Sequence, residues 1–96
     1  MIRVVIERRC KSGKELELEN MLTDLRIRAM QQHGYISSET LRSVKDPSHW
    51  LVISTWLYSD LWKAWEDMPE RREITNKIAP LLINPERISF YTFLRR

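Results

Sequence analysis

The chain of 96 residues is poor in the residue types that build several common ligand sites. It has only two glycines, Gly13 and Gly34, so it cannot form a glycine-rich phosphate loop or a dinucleotide fingerprint. Its single cysteine, Cys10, excludes an internal disulfide. Cys10, His33 and His49 also lack the spacing of metal ligands. We therefore expect no metal, no nucleotide and no cofactor.

Long apolar runs and a strong excess of charge are also lacking. The apolar start MIRVVI is interrupted by Glu7-Arg8-Arg9, which does not suit a signal peptide or a membrane span. Sixteen basic and thirteen acidic residues leave a net charge of +3, and basic residues cluster only at 8–11 and 95–96. That charge pattern is weak for nucleic-acid binding. We expect one cytoplasmic domain over residues 1–96, with no membrane or nucleic-acid partner.

The first third of the chain predicts a strand followed by a helix. The stretch IRVVIERR is rich in β-branched residues and predicts a strand over 2–9. The segment 15–32 is expected to form an amphipathic helix that ends near Gly34. Its buried face consists of residues at three- and four-residue steps, namely Leu18, Met21, Leu22, Leu25 and Ala29.

The rest of the chain predicts a hairpin, a broken helix and a last strand. Strands are expected over 35–44 and 49–56, joined by an Asp-Pro turn. Ser59 is expected to cap a helix with Tyr58, Leu61, Trp62 and Trp65 on its inner face. A second helix is expected to start near Asp67 and Pro69 and to run through Ile74, Ile78 and Leu81, before a strand over 87–94.

This order of elements predicts an α+β fold of the ferredoxin-like split βαβ type, an antiparallel four-stranded sheet with helices on one face. Strands 50–57 and 88–94 are apolar on both alternating sides. Because the helices suffice for one face only, we expect a second copy of the sheet to cover the other. The sequence therefore predicts a homodimer built through the sheet faces.

RNA-binding domains share this order of elements and need a separate test. Their third strand carries a glycine and a series of aromatic residues that stack on bases. The corresponding stretch HWLVISTW has no glycine and no basic lead, and IRVVIERR has no aromatic residue. An RNA-binding function is therefore a minor alternative.

Three of the four tryptophans lie in the stretch STWLYSDLWKAWEDM, at positions 56, 62 and 65. They either fill a core or form the wall of a binding site for a flat apolar ligand. Trp62 and Trp65 are three residues apart on one helix, so their side chains point about 60° apart. We expect Trp62 to anchor the core and Trp65 to border a cleft between helix and sheet.

Almost end to end, the chain resembles the antibiotic biosynthesis monooxygenase family of dimeric α+β barrels. The resemblance is carried by the first strand with KSGKELELENML, by the hairpin GYISSETLRSVKDPSHWLVISTW, by SDLWKAWEDMPERREI and by the last strand. It implies a homodimer with one cleft per subunit. Some members are cofactor-independent monooxygenases that oxidise aromatic phenols with O₂, and related members bind and degrade haem. Trp65 matches the cleft tryptophan of both groups.

The chain differs from both groups at other positions. Leu61 stands where the polyketide oxidases have an asparagine, one helical turn before the tryptophan. Thr75 stands at the place of the axial histidine of the haem-degrading members, and Glu7 or Arg8 at the place of their strand asparagine. A haem-binding function is therefore less favoured.

Two hypotheses follow. The first is a cofactor-independent monooxygenase that oxidises a small aromatic phenol or quinol in the cleft. In it Trp65 and Trp62 bind the ring, and Tyr35, His49 and Arg72 are candidate polar or catalytic partners. The second is a non-catalytic dimeric module that binds a small apolar ligand. The sequence does not identify the substrate.

Overall fold

The computed structural model describes residues 1–94. Over these residues the elements are β1 (Ile2–Arg9), α1 (Glu15–Ala29), β2 (Tyr35–Arg42), β3 (His49–Trp56), α2 (Ser59–Glu66), α3 (Pro69–Ile78), a 3-10 helix (Ala79–Leu81) and β4 (Arg87–Thr92). Residues 95 and 96, which belong to the predicted domain and form its second basic cluster, lie outside the described residues.

The four strands form one antiparallel sheet in the order β2-β3-β1-β4. This topology confirms the predicted α+β ferredoxin-like fold. Two strands are shorter than predicted. β4 ends at Thr92 because Thr92 pairs with Ile2, the first residue of β1. β2 ends at Arg42 because the turn that follows begins at Ser43, whose hydroxyl accepts a hydrogen bond from the Asp46 amide at 3.1 Å.

The helix starts differ from the predicted caps. Ser59 is the first residue of α2 rather than its cap, because Tyr58 precedes the helix in an extended conformation and makes no capping side-chain bond. Met68 occupies the equivalent position before α3, and Pro69 follows as the first helical residue, as predicted. Asp67 instead pairs with Lys63 and Arg72, at 3.6 and 3.4 Å.

Gly34 ends the α1–β2 connection in a conformation that suits glycine. Its φ is +90°, in the left-handed region. A Cβ on Gly34 would overlap the side chain of Leu61 and lie 2.8 Å from its Cβ. The connection therefore needs glycine for its backbone angle and for the approach of α2. Helix α1 ends at Ala29, three residues before the predicted end.

The core lies between the sheet and the helices. Alternate residues of β1 and β3 face it, and register pairs Val4 with Ser54 and Arg8 with Trp50 across the two strands. The helices contribute Leu18, Leu22 and Leu25 from α1, Trp62 and Trp65 from α2, and Ile74 and Ile78 from α3. These residues form one continuous hydrophobic cluster. None of the helices in residues 1–94 is long and apolar enough to span a bilayer.

The other face of the sheet carries the second alternating set. Val5 pairs with Ile53 across β1 and β3, and Leu51 pairs with Leu41 across β3 and β2. Val5, Ile53 and Leu51 are only partly buried, and Tyr91 of β4 is 57% exposed. This side, which we call the open face, carries apolar residues of β3, as predicted, together with the ion pair Arg3–Glu39 and the hydrogen-bonded pair Glu7–His49. The homodimer that it suggests remains a prediction.

Candidate functional site

A cavity lies between the helix-facing side of the sheet and the three α-helices. Its volume is about 50 Å³, enough for a few water molecules. The lining is mainly apolar and aromatic, with a few hydroxyls and three arginines. It consists of Ile6, Arg8, Leu22, Leu25, Arg26, Ala29, Tyr35, Ser38, Thr40, Val52, Ser54, Trp56, Trp62, Trp65 and Arg71.

Aromatic rings form one wall of the cavity. The Tyr35 and Trp56 rings meet edge to face with centroids 5.6 Å apart, and the Trp56 and Trp62 rings follow at 5.8 Å. Trp62 and Trp65 are 3% and 2% exposed, and both line the cavity. The expected division into one core residue and one wall residue is therefore wrong. Side chains only about 60° apart on a two-turn helix both fit the concave space between sheet and α3.

The hydroxyl groups of the cavity are held by short local bonds. Tyr35 Oη and Ser38 Oγ are 2.6 Å apart, within one hydrogen bond. The Trp56 indole N–H donates to Ser54 Oγ at 3.1 Å. A β-bulge between Tyr35 and Ser37 displaces the β2 register, and Tyr35 and Ser38 then face the helices together. The cavity thus has oriented hydroxyls on its β2 side.

Two buried guanidinium groups border the cavity on its α3 side. Arg8 and Arg71 are 2% and 4% exposed. Arg8 Nε donates to Glu86 Oε2 at 2.9 Å, and its Nη2 is 2.9 Å from the same oxygen. Arg71 Nη2 is 3.9 Å from Glu86 Oε1, beyond hydrogen-bond distance. One carboxylate therefore serves two buried cations, which leaves one positive charge beside the aromatic wall.

The electrostatics of the pair follow from burial. Desolvation lowers the pKa of Arg8, and the charge and hydrogen bond of Glu86 act against it. Desolvation also lowers the pKa of Arg71, Glu86 opposes this, and the charge of Arg8 lowers it further. Glu66 supports the charge of Arg71 from a greater distance, while its own carboxylate accepts from Lys63 at 2.9 Å. Guanidinium groups stay protonated under such shifts, so the positive charge persists.

Several donors in this part of the cavity have no acceptor. Within residues 1–94, no hydrogen-bond acceptor serves Arg8 Nη2, Arg71 Nε, Arg71 Nη2 or Trp62 Nε1, and all four atoms are buried. The Arg71 guanidinium lies over the Trp62 ring, 4.9 Å from its centroid, so the donors belong to one cluster. Buried donors without partners cost free energy, roughly 1–3 kcal/mol each. The arrangement suits an anionic ligand group.

Only some of the predicted site residues lie at the cavity. Tyr35, Trp62 and Trp65 line the cavity. His49 lies on the open face, where its Nε2 is 3.1 Å from Glu7 Oε1. Arg72 points to solvent with its side chain 64% exposed and pairs with Asp67. His49 and Arg72 therefore do not contribute to this cavity.

The sequence did not predict Arg8, Arg71 or Glu86 as site residues. For two of them, the spacing of residues in the sequence contained a signal. Arg8 follows Val4 and Ile6 at alternate positions of β1, and Arg71 precedes Ile74 and Ile78 at helical spacing. The patterns place both arginines on core-facing sides. Glu86 lies in the connection before β4 and has no periodic signal.

The positions at which the chain departs from the family are also resolved. Of the two residues that the resemblance places at the strand asparagine, Arg8 lines the cavity and Glu7 lies on the open face. Leu61 packs against Gly34. The Thr75 hydroxyl donates to the Arg72 carbonyl at 3.2 Å. Among residues 1–94, no group of three His, Cys, Asp or Glu side chains is placed to hold a metal ion.

A wider space adjoins the cavity between α1 and β2. It has a volume of about 420 Å³ and shares the lining residues Leu22, Arg26 and Thr40 with the cavity. Its other walls include Ile27, Met30 and Trp50. We call this space the vestibule. It has the volume of a small-molecule site, which the inner cavity alone does not.

Comparison with known proteins places the chain in a family. The family model described as antibiotic biosynthesis monooxygenase matches residues 1–77. Protein SchA of Streptomyces halstedii is 25% identical over 79 residues, which is 82% of this chain. The match spans only 21% of the length of SchA. The resemblance found in the sequence is thereby confirmed.

Solved structures with the same fold include a conserved protein from Methanosarcina mazei Go1, with a TM-score of 0.88 and 20% identity over 94% of this chain and 89% of that one. SnoaB, a cofactor-independent oxygenase from Streptomyces nogalater, superimposes with a TM-score of 0.88 and 14% identity over 99% and 94% of the two chains. At these identities the likeness establishes the shared fold.

Proposed function

Because the chain belongs to the antibiotic biosynthesis monooxygenase family, we propose that it oxidises a small aromatic phenol or quinol with O₂ in the cavity between sheet and helices. The reaction requires no metal and no organic cofactor. The observation that carries this proposal is the buried, half-neutralised pair Arg8 and Arg71 beside a wall of tryptophans. A phenolate is a planar anion, and this combination suits it.

The cavity favours the ionised substrate. The lining residues include no carboxylate and no imidazole among residues 1–94, so we assign no protein base. The proton leaves to water while the net positive charge of the arginine pair stabilises the phenolate. A phenolate is far more electron-rich than a phenol, which is the property that reaction with O₂ requires.

The steps balance without an external reductant. The ring carbon para to the phenolate oxygen forms a bond to O₂, and a proton completes the hydroperoxide. The C–H proton at that carbon then leaves, the O–O bond breaks, and water departs, so that a quinone remains. The substrate supplies all four electrons. One oxygen atom enters the product and the other becomes water.

The other lining residues bind and orient the substrate. Trp62 and Trp65 provide apolar surface for the ring and keep bulk water from it. The hydrogen-bonded pair Tyr35 and Ser38 is placed to contact a hydroxyl of the substrate on the β2 side. A ring larger than the cavity extends toward the vestibule.

We also propose that the active form is a homodimer. Val5, Leu51 and Ile53 form an apolar strip on the open face, which a second copy of the sheet would bury. The family resemblance implies the same arrangement. The cavity lies on the opposite side of the sheet, so each subunit holds a complete site.

A non-catalytic dimeric binding module is the second candidate. Leu61 favours it, because an apolar side chain packed on Gly34 cannot polarise a phenol or orient O₂ as an asparagine can. The same aromatic cavity would then hold an apolar ligand without turnover.

An assay of turnover under labelled oxygen distinguishes the monooxygenase from the non-catalytic binding module. Chelator-treated protein is incubated with 1,5-dihydroxynaphthalene and ¹⁸O₂, and the product is analysed by mass spectrometry. We expect a hydroxynaphthoquinone with a single ¹⁸O atom and no accumulation of H₂O₂. The matched control is 4-methyl-1-naphthol, whose para position is blocked and which should give no quinone. A rate equal to that in buffer would favour the binding module.

A further inference from the structure

We propose that the ligand of this cavity is an aromatic carboxylate, whose carboxylate binds the Nε and Nη2 edge of Arg71 while its rings extend into the vestibule. The inference rests on the proposed function for the location of the site. It names the substrate class, a hydroxyaryl carboxylic acid rather than a neutral phenol.

The net positive charge of the site favours a ligand that carries a full negative charge. Arg8 and Arg71 are both at least nine-tenths buried, and Glu86 is the carboxylate placed within 4 Å of each. Arg26 also lines the cavity, at the end that it shares with the vestibule. An incoming carboxylate would offset the charge that Glu86 leaves over, and Arg26 would remain as a positive charge beside the ring system.

The donor geometry selects a carboxylate. The Nε–H and Nη2–H groups of an arginine are parallel, and this edge binds a carboxylate through two hydrogen bonds. In Arg8 the same edge is directed at Glu86, where Nε donates to Oε2 at 2.9 Å, while Nη2 lies 2.9 Å from the same oxygen and makes no hydrogen bond. In Arg71 both atoms are buried without an acceptor among residues 1–94. A ligand carboxylate on Arg71 would supply one oxygen to each nitrogen, a pairing that Glu86 does not complete on Arg8.

A phenolate alone would leave donors unsatisfied. The cluster presents four orphan donors, namely two from Arg71, the Nη2 of Arg8 and the indole N–H of Trp62. A phenolate oxygen accepts several hydrogen bonds only from donors that converge on one point, whereas a carboxylate has two oxygens and about four acceptor sites for donors on different side chains. The phenol group of a hydroxyaryl acid is then free to contact Tyr35 and Ser38.

The shape of the space orients the ligand. The inner cavity of about 50 Å³ is bounded by Trp62, Trp65 and Arg71, whereas the vestibule of about 420 Å³ has no lining residue from α2 or α3. The charged end would therefore lie inside beside Arg71, with the ring that carries it against Trp62 and Trp65, and the rest of the ring system would extend into the vestibule. A fused two-ring acid has the length for both spaces.

The test compares two ligands that differ in charge but hardly in shape, 1-hydroxy-2-naphthoic acid and its carboxamide. Binding to the full chain is measured by tryptophan fluorescence and by calorimetry, at a pH where the acid is ionised. We expect the acid to bind about tenfold or more tightly than the amide, as hydrogen bonds to a charged group do. The comparison needs no variant, so it does not depend on whether a mutant folds.

Variants then locate the anion. Arg71→Gln should remove the preference for the acid, and Arg71→Lys, which keeps the charge but not the paired donors, should reduce it. Arg72→Gln removes the same charge from the exposed neighbour and should leave the preference intact. A circular dichroism melt confirms that each variant is folded before binding is scored.

The outcomes separate the two proposals. If acid and amide bind equally well, the carboxylate site is wrong while the aromatic cavity and the proposed function stand. If neither ligand binds, the cavity is not a site for aromatic compounds and both proposals fail. If Arg72→Gln abolishes the preference and Arg71→Gln does not, the anion binds outside the cavity and this inference is overturned.

Discussion

Arg71 lies over the ring of Trp62, with its guanidinium carbon 4.9 Å from the ring centroid. This contact joins the start of α3 to the middle of α2 and places a cation against the same ring that borders the cavity. A cation–π contact of a desolvated guanidinium contributes up to about 2 kcal/mol. It therefore holds Arg71 inside the core although Glu86 is shared with Arg8.

Substitution of Glu86 should be severely destabilising. Glu86→Gln leaves Arg8 buried without its counter-charge and Arg71 with only the more distant Glu66, and an uncompensated buried charge costs about 3–5 kcal/mol. Urea unfolding followed by fluorescence measures the loss. Glu73→Gln is the matched control, because that carboxylate is 72% exposed and should contribute less than about 1 kcal/mol. Equal effects of the two substitutions would contradict the structure.

The tryptophans of α2 should both prove to be structural. Trp62→Ala and Trp65→Ala each remove a ring that is at most 3% exposed, so each should lower the free energy of unfolding by about 3–5 kcal/mol. Tyr58→Ala, at the start of the same helix and 64% exposed, should change it by less than about 0.5 kcal/mol. A nearly silent Trp65→Ala would restore the division of roles that the sequence suggested.

Gly34 and Gly13 provide a matched pair. Both have positive φ, +90° and +85°, so alanine strains the backbone at either position by about 1 kcal/mol or more. A Cβ meets nothing within 4 Å at Gly13 but overlaps Leu61 at Gly34. Thermal melts should show the larger loss for Gly34→Ala. Adding Leu61→Ala to Gly34→Ala should recover part of that extra loss, and additive losses would contradict the contact.

One charged substitution tests whether the open face forms the dimer interface. Ile53 lies opposite Val5 in the middle of that face, so Ile53→Lys should prevent two sheets from packing. Light scattering should give twice 11.6 kDa for the unsubstituted chain and 11.6 kDa for the variant. Val44→Lys, at a residue 97% exposed, should not change the mass. A monomeric unsubstituted chain would refute the proposed dimer.

Acid should weaken the β2–β3 turn through Asp46. Hydrogen bonds from the Ser48 hydroxyl, the Arg9 guanidinium and the Ser48 amide lower the pKa of Asp46 below its ordinary 3.8. Because the folded-state pKa is depressed, the stabilisation is complete above the unfolded-state pKa and is lost as pH falls through the folded-state value. The stability advantage over Asp46→Asn should therefore shrink between about pH 5 and pH 2. A constant difference in urea midpoints across that range would contradict this assignment.

Local periodicity was sufficient for most of the fold. Strands β1 and β3 have the predicted bounds, because β-branched runs ending in charges or turns restrict the backbone locally. Because β3 is apolar on both of its alternating sides, the sequence predicted a sheet face that the helices leave uncovered, and the structure has such a face. The ends of strands that are set by pairing with another strand were predicted less accurately. The end of β4 depends on where β1 begins, which lies far away in the chain.

The chemistry of the site was decided by tertiary structure. Alternation and helical spacing place Arg8 and Arg71 on core-facing sides, but an arginine in such a pattern usually extends its charge to water. Only the packed chain shows both guanidinium groups buried around Glu86, which lies in the connection before β4. Arg71 and Arg72 differ by one residue, or about 100° of helix rotation, and the sequence favoured the exposed one. The sequence by itself determined the order of elements and the aromatic wall, because these follow from local patterns. The charge of the cavity depends on which distant groups share one carboxylate, and only the folded chain brings those groups together.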